Sequence, residues 1–283
     1  MLLASLCFAF TVSFAKLLSA HMSSIEVVFF RNVFGIVLIV FSFLKLPCKK
    51  SVNKKPFLLI FRGMVGFFGL ILYFYLIANV SLAEAVTYSK ASPIFTAILA
   101  FFLLKERLNT YAWVAVFVGF IGIVLIMQPD MGVSKYNLMG LALGIFAAFA
   151  YNAVRELKRS YDTRIIVLSF VLIGTIGPVI LMGISEFYYT QGLDFMLGRF
   201  VMPTGVMWLY AIGLGISATL AQIFMTKAYG EAKAGLVGVI SYTTIPISIV
   251  MGIILGDSIP SISVWIGIFM VVSSGVVIAT KGK

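Results

Sequence analysis

Charge is what this chain has least of. Its 283 residues carry 21 basic and 10 acidic side chains, 11% in all, where a soluble domain carries about 25%. It has one histidine, His21, and two cysteines, Cys7 and Cys48, with no metal-ligand spacing among them. That scarcity speaks against a metal site, a histidine-based catalytic group and a disulfide framework. No paired acids, histidine cluster or Ser–His arrangement converges, so an enzyme reading has little to stand on. No Walker motif is present to supply ATP-driven work, and nothing implies a cofactor. There is no solvated basic domain or RNA-binding signature either, which argues against nucleic acid despite a net charge of +11.

Apolar residues are what is abundant: 61% of the chain, with a mean hydropathy of +1.11. A water-soluble fold of this length cannot hide so much apolar surface, so the bilayer must solvate most of it. Runs long enough to cross hydrocarbon as helices lie near 2–20, 25–44, 57–78, 83–104, 110–127, 137–155, 164–186, 204–227, 234–255 and 261–280. The first of these lacks a basic leader and is followed almost at once by another run, so it reads as a retained span and not a signal peptide. The longest segment between runs on the outer side, about 187–203, is too short for a soluble domain.

The basic residues orient these spans. With the N-terminus inside, the inner loops hold Lys45, Lys49, Lys50, Lys54, Lys55, Lys105, Arg107, Arg155, Lys158, Arg159, Arg164, Lys227, Lys233, Lys281 and Lys283. The outer loops hold only Lys135 and Arg199. This bias predicts ten transmembrane helices with both termini cytoplasmic. One missed span would scramble it.

The halves echo one another. The fourth run reads Tyr88-Ser89 then Pro93-Ile94 and leads to Trp113; the ninth reads Tyr242-Thr243 then Pro246-Ile247 and leads to Trp265. Phe8-Ala9-Phe10 is echoed by Phe149-Ala150-Tyr151. Because five is odd, a second copy enters the membrane from the opposite side. The expectation is an all-α integral membrane protein of two inverted five-helix repeats, 1–130 and 131–283, an arrangement transporters use to build a central site with two exits.

Several stretches resemble a known group, the EamA-type ten-helix branch of the drug/metabolite transporter superfamily. They are Glu26–Arg31 with Gly35, Arg62-Gly63 with Gly66, Leu82–Ala85 followed by Ser92–Phe95, and Leu104–Leu108. Gly119, Gly122 and Pro129 follow, then Gln222, Ala228-Tyr229 and Tyr242-Thr243. The match runs over essentially the whole chain, with departures at Asn79 and at the second-half acid Asp257. The resemblance implies alternating access, with substrate in a central cavity lined mainly by the first, third, fourth, sixth, eighth and ninth spans. It also implies a secondary transporter, an exporter or exchanger, of small organic metabolites such as amino acids or their derivatives. A membrane-embedded enzyme and a non-transporting assembly subunit stay open beside it. The absence of a soluble domain and of secreted-type cysteines suits a bacterial inner membrane. Membrane lipid, a small-molecule substrate and a second copy of the chain are the partners to consider.

Lys90 is the leading candidate for a substrate-binding residue. It lies about seven residues, or roughly 10 Å, inside the fourth span, at a depth where a charge costs about 2.5–3.5 kcal/mol. A carboxylate, a wet cavity or an anionic solute group must compensate. Arg31 sits at similar depth in the second span, which the resemblance makes peripheral; pairing with Glu26 or Glu84 is its simplest reading. Together the two cations point to a solute with an anionic group. Tyr88, Tyr242, Gln222 and Asn152 are polar groups on spans expected to face the cavity, each also suited to interhelical bonding. The topology has a direct check: an impermeant lysine reagent applied to intact cells should leave the Lys49–Lys55 loop unlabelled, and labelling from outside would overturn it.

Overall fold

The structure, a computed structural model, describes residues 1–45, 51, 53–104, 109–127, 134–188, 190–232 and 234–281. Cys48, Lys49, Lys50, the Lys105–Leu108 cluster, Pro129, Lys233 and Lys283 fall outside the described residues. Every described element is helical: α1 (Leu2–Ser19), α2 (Ser24–Lys45), α3 (Pro56–Asn79), α4 (Leu82–Lys90), α5 (Ser92–Leu104), α6 (Thr110–Met127), α7 (Lys135–Leu157), α8 (Thr163–Phe187), a 3₁₀ turn at Gln191–Leu193, α9 (Val206–Glu231), α10 (Ala234–Ser241), α11 (Thr244–Ile254) and α12 (Ile262–Lys281). In hydrocarbon no water is present to bond peptide groups, and a helix satisfies all but its ends internally.

Among the described residues, nine segments are long and apolar enough to cross a membrane. The fourth run is not one of them: its first part carries Glu84, Lys90 and three hydroxyl side chains, which lower its hydropathy, and it is also broken. Its first part, α4, starts at Ser81, whose hydroxyl accepts from the Glu84 amide at 3.3 Å, and stops at Lys90. Pro93 has no N–H to offer the Ser89 carbonyl, and its ring crowds that carbonyl, so the chain turns at Ala91 before α5 begins. The ninth run carries a matching interruption at Tyr242-Thr243, between α10 and α11 and just ahead of Pro246. Continuous fourth and ninth helices were the expectation; proline turned a kink into a break.

Contacts between the first five runs and the last five are mutual. α1 packs on α9 and α3 on α7; α2 packs on α8 and α6 on α12; α4 packs on α11. Exchanging the halves maps each of these pairings onto itself or another. The closest seam joins α6 to α12. A methyl group on Gly122 would come within 2.8 Å of the Gly267 carbonyl oxygen, and the Ser274 hydroxyl donates across the seam to the Ala115 carbonyl at 2.5 Å. Large apolar side chains such as Phe117, Ile176 and Phe269 face outward, as lipid contact requires and water would penalise.

Proline also shapes α8. Pro178, inside the helix, leaves the Gly174 carbonyl without its usual i+4 donor. Asn32 of α2 supplies the substitute, its amide nitrogen donating to the Gly174 oxygen at 2.8 Å and to the Val28 oxygen at 2.8 Å.

The two ends of the bundle differ in charge. Lys45, Lys54, Lys55, Arg155, Lys158, Arg159, Arg164 and Lys227 gather at the end that holds the N-terminus. At the other end the 188–205 connection is tied down by Asp194, which accepts from the Tyr75 hydroxyl at 2.5 Å and pairs with Lys135 at 3.0 Å. Burial pushes the Asp194 carboxyl up, but the bonds from Tyr75 and Lys135 outweigh it and hold the group below its ordinary range. The α6–α12 seam makes a prediction. Gly122→Val should lower stability by about 1–3 kcal/mol, read as a drop in the thermal midpoint in detergent, whereas Gly183→Ala, with nothing within 4 Å of the new methyl group, should leave it unchanged.

Candidate functional site

A cavity of about 100 Å³ lies in the middle of the bundle, with room for more than one water. Its lining comes from α1, α2, α3, α4, α7, α8, α9 and α11. The spans expected to face a central cavity all contribute. So do α2, which was expected to be peripheral, and α8, which was not among the spans named.

Lys90 is at the last position of α4, where the broken fourth run turns. The carbonyl end of a helix carries partial negative charge and favours a cation there, but by less than the cost of burying the charge. The side chain is 6% exposed. Its ammonium stands 5.5 Å from the centroid of the Phe8 ring of α1, and among the described residues no carboxylate pairs with it. Glu84, six residues earlier, belongs to a separate cluster near Lys16 and Asp257.

Arg31 also lines the cavity, and here the expectation needs correction. It pairs with neither Glu26 nor Glu84. Glu26 is committed to Ser23, accepting from its amide and hydroxyl at 2.8 Å each, and to the Val201 amide. One Arg31 amino group donates instead to Asn32 Oδ1 at 2.6 Å, and its guanidinium carbon stands 4.9 Å from the Phe170 ring centroid. The Pro178 defect therefore reaches the cavity: Asn32, fixed by the carbonyl it satisfies, holds Arg31 in place.

Gln222 is the third sequence-predicted residue that the cavity contains. Its amide nitrogen has no protein partner, and neither does the Thr244 hydroxyl on the same lining. A buried donor without a partner carries a free-energy cost, and these offer hydrogen bonds to a solute. The other three candidates lie elsewhere. Tyr88 is buried against Gly140 of α7 and its hydroxyl donates to Asn137 at 3.2 Å. Tyr242 is buried against Gly275 of α12. Asn152 is exposed on α7; its neighbour Tyr151 lines the cavity in its place. Successive helical residues point about 100° apart, so a one-residue difference changes the face.

Arg62 was not singled out as a site residue, although its depth in an apolar run was a signal. It is 3% exposed, its guanidinium carbon lies 3.9 Å from the centroid of the same Phe170 ring, and two of its nitrogens have no partner.

At the end of the bundle away from the N-terminus a second charged group ties three helices together. Gly256, with φ of +97°, lets the chain fold back after α11 so that Asp257 N–H reaches the Gly252 carbonyl at 2.8 Å. This aims the Asp257 carboxylate at the start of α4, where it accepts from the Leu82 amide at 2.8 Å. Its other oxygen pairs with Lys16 of α1 at 3.0 Å, and Lys16 also donates to the Val80 carbonyl at 2.9 Å. One carboxylate thus joins α1, α4 and α11.

Helices around a central cavity with converging unpaired donors define a class, the multi-pass membrane transporters of small molecules. Comparison with known proteins narrows the class. The model of the EamA-like transporter family matches residues 1–128. An uncharacterized transporter of Helicobacter pylori strain J99 is 33% identical, over 98% of this chain and 92% of that one. A pseudopaline exporter of Pseudomonas aeruginosa is 29% identical over 99% and 94%, and a riboflavin transporter of Vibrio cholerae 27% over 97% and 89%. A solved crystal structure, 19% identical, superposes with a TM-score of 0.64 over 97% of this chain and 95% of that one, which shows a shared fold. The chain belongs to the EamA-like transporter family, within the drug/metabolite transporter superfamily, as its sequence motifs suggested. It is a transporter and not an enzyme.

The Asp257 junction makes a prediction. In a protein with Cys7 and Cys48 replaced, a cysteine at Thr11 should react several-fold faster with a small impermeant maleimide once Asp257→Ala is added. Unchanged reactivity would mean that this junction does not close the cavity.

Proposed function

We propose that the chain is a secondary transporter that carries small organic metabolites, amino-acid derivatives among them, across the inner membrane as an exporter or exchanger, by alternating access, and that Lys90 receives an anionic group of the solute. The observation that carries this reading is Lys90 itself: a buried cation without a carboxylate among the described residues, at a helix break, on the wall of a cavity between the halves. An unpaired charge at that depth is costly, and a solute anion removes the cost whenever it binds. Gln222 and Thr244 supply further donors, and Arg31 a second cation. Tyr88 and Tyr242 act behind this lining by fixing the helices next to the two breaks.

The architecture supports alternating access. The broken fourth run, counted as a crossing, brings the nine apolar spans to ten. Ten crossings put both termini on one side, and the basic end of the bundle would then face the cytoplasm. Equivalent runs of 1–130 and 131–283 traverse the bundle in opposite directions, and their pairings exchange with the halves. Such inverted repeats give two alternative packings of similar energy around one site. The names of the relatives, a pseudopaline exporter and a riboflavin transporter, fit a cargo of organic metabolites.

Lys90→Ala should reduce transport to the protein-free background in proteoliposomes loaded with a metabolite mixture, while size-exclusion behaviour and helical content stay those of the native protein. Normal uptake or exchange by the folded variant would refute the role given to Lys90.

A further inference from the structure

The cavity region holds more positive charge than one anionic group can balance. Arg31, Arg62 and Lys90 are 3%, 3% and 6% exposed, and among the described residues no carboxylate pairs with any of them. The chain has ten acids, and eight of them are described. Glu26 is held by Ser23 and Val201. Glu84 and Asp257 sit with Lys16. Glu156 pairs with Lys55, Asp162 with Arg164, and Asp194 with Lys135. Glu186 and Glu231 are exposed. No described acid lines the cavity.

The three cations form two stations. Lys90 and Arg31 line the cavity, and Arg62 lies just behind the lining at Gly66. Lys90 stands over Phe8 of α1. Arg31 and Arg62 stand over the one ring of Phe170 of α8, and a methyl group added at the cavity-lining Gly66 would meet an Arg62 nitrogen at 2.8 Å. Nε of Arg31, and Nε and Nη1 of Arg62, have no partner. A planar guanidinium with free N–H groups matches a carboxylate in two-point geometry, whereas an ammonium binds as a point charge.

We propose that the cavity takes a compact organic dianion bearing two carboxylates, one received by Lys90 and the other by the Arg31–Arg62 pair. This rests on the transporter reading for its biological sense, but it is a statement about the binding site. A single carboxylate leaves one station uncompensated. A zwitterion brings an ammonium beside three cations, with no described acid on the lining, so amino acids and cationic metabolites are disfavoured. The small volume and apolar walls suit a short carbon bridge between the two acids.

The test is calorimetric titration of the purified full-length wild-type protein with succinate and glutarate as probes. Butyrate is the monoacid, glutamate the ammonium-bearing diacid and glycerol 3-phosphate the phosphate dianion. Succinate or glutarate should bind at least about tenfold tighter than butyrate and glutamate. Lys90→Ala and Arg62→Gln should each abolish that preference, and Arg62→Lys should restore part of it. Butyrate or glutamate binding as tightly as the diacids overturns the proposal, as does a preference for glycerol 3-phosphate or no binding of either diacid. So does a folded Arg62→Gln protein that keeps the full preference. The wild-type comparison decides the matter even if the arginine variants fail to fold. Failure here is distinct from failure of the transporter reading. Lys90-dependent exchange of monoanionic or neutral solutes in liposomes, without diacid binding, would remove only the dianion. Diacid binding without transport of any solute would remove only the transport.

Discussion

A peptide group in hydrocarbon has no water to turn to, and each one left unbonded costs several kcal/mol. That constraint produces the helices, and it makes every interruption of a helix conspicuous. Three interruptions matter here: the break at Ala91, the break at Tyr242-Thr243 and the defect at Pro178. All three lie beside the cavity or lead to it. Around Ala91 the backbone is partly satisfied locally, the Ala91 amide donating to the Tyr88 carbonyl at 3.2 Å and the Ile94 amide to the Ala91 carbonyl at 3.0 Å; around Thr243 its amide donates to the Ile240 carbonyl at 3.1 Å and the Ile245 amide to the Tyr242 carbonyl at 2.9 Å. Irregular backbone at membrane depth is tolerated where it is enclosed by protein or lines a polar space, and the site is built where the helices fail.

The same constraint sets the electrostatics. Cations are kept inside the bundle only where something offsets the loss of hydration. Lys16 has a carboxylate and a backbone carbonyl. Arg31, Arg62 and Lys90 have aromatic faces, each worth on the order of 0.5–2 kcal/mol, below the cost of a charge at depth. The Lys16–Asp257 junction is internally complete. The three cavity-region cations are not, and on the reading proposed above a solute makes up their deficit.

Much of the fold was legible in the sequence. Run lengths and the Lys/Arg bias place the helices to within a few residues, and Pro93 and Pro246 mark the places where two of them are interrupted. The burial of Lys90 was legible because depth can be counted along a run, and the residue does line the cavity. Helical phase could not be counted in the same way. Nothing in the chain says which side of α7 faces inward, so Asn152 was chosen where Tyr151 is the residue on the lining. Tyr88 and Tyr242 were read as cavity groups, yet glycines at 140 and 275 draw them into helix seams. Arg31 was assigned an acid by proximity in sequence, but Glu26 was already taken by the 201 backbone. Each of these errors concerns side-chain direction, which is set by packing across helices distant in sequence.

One bond carries a mechanical implication. The Asn32 amide that satisfies the Gly174 carbonyl joins α2 to α8, and so joins the two halves of the chain. Both amide protons of Asn32 are in use, so this residue has no spare donor to trade. Any rocking that parted α2 from α8 would strand in the membrane the carbonyl that Pro178 had already deprived of its donor. Under the alternating access proposed above, the α2–α8 pair is then the axle about which the halves would tilt. Arg31 lies on that axle and Lys90 on the broken run beside it, so a solute held by both would link the fixed part to the moving one.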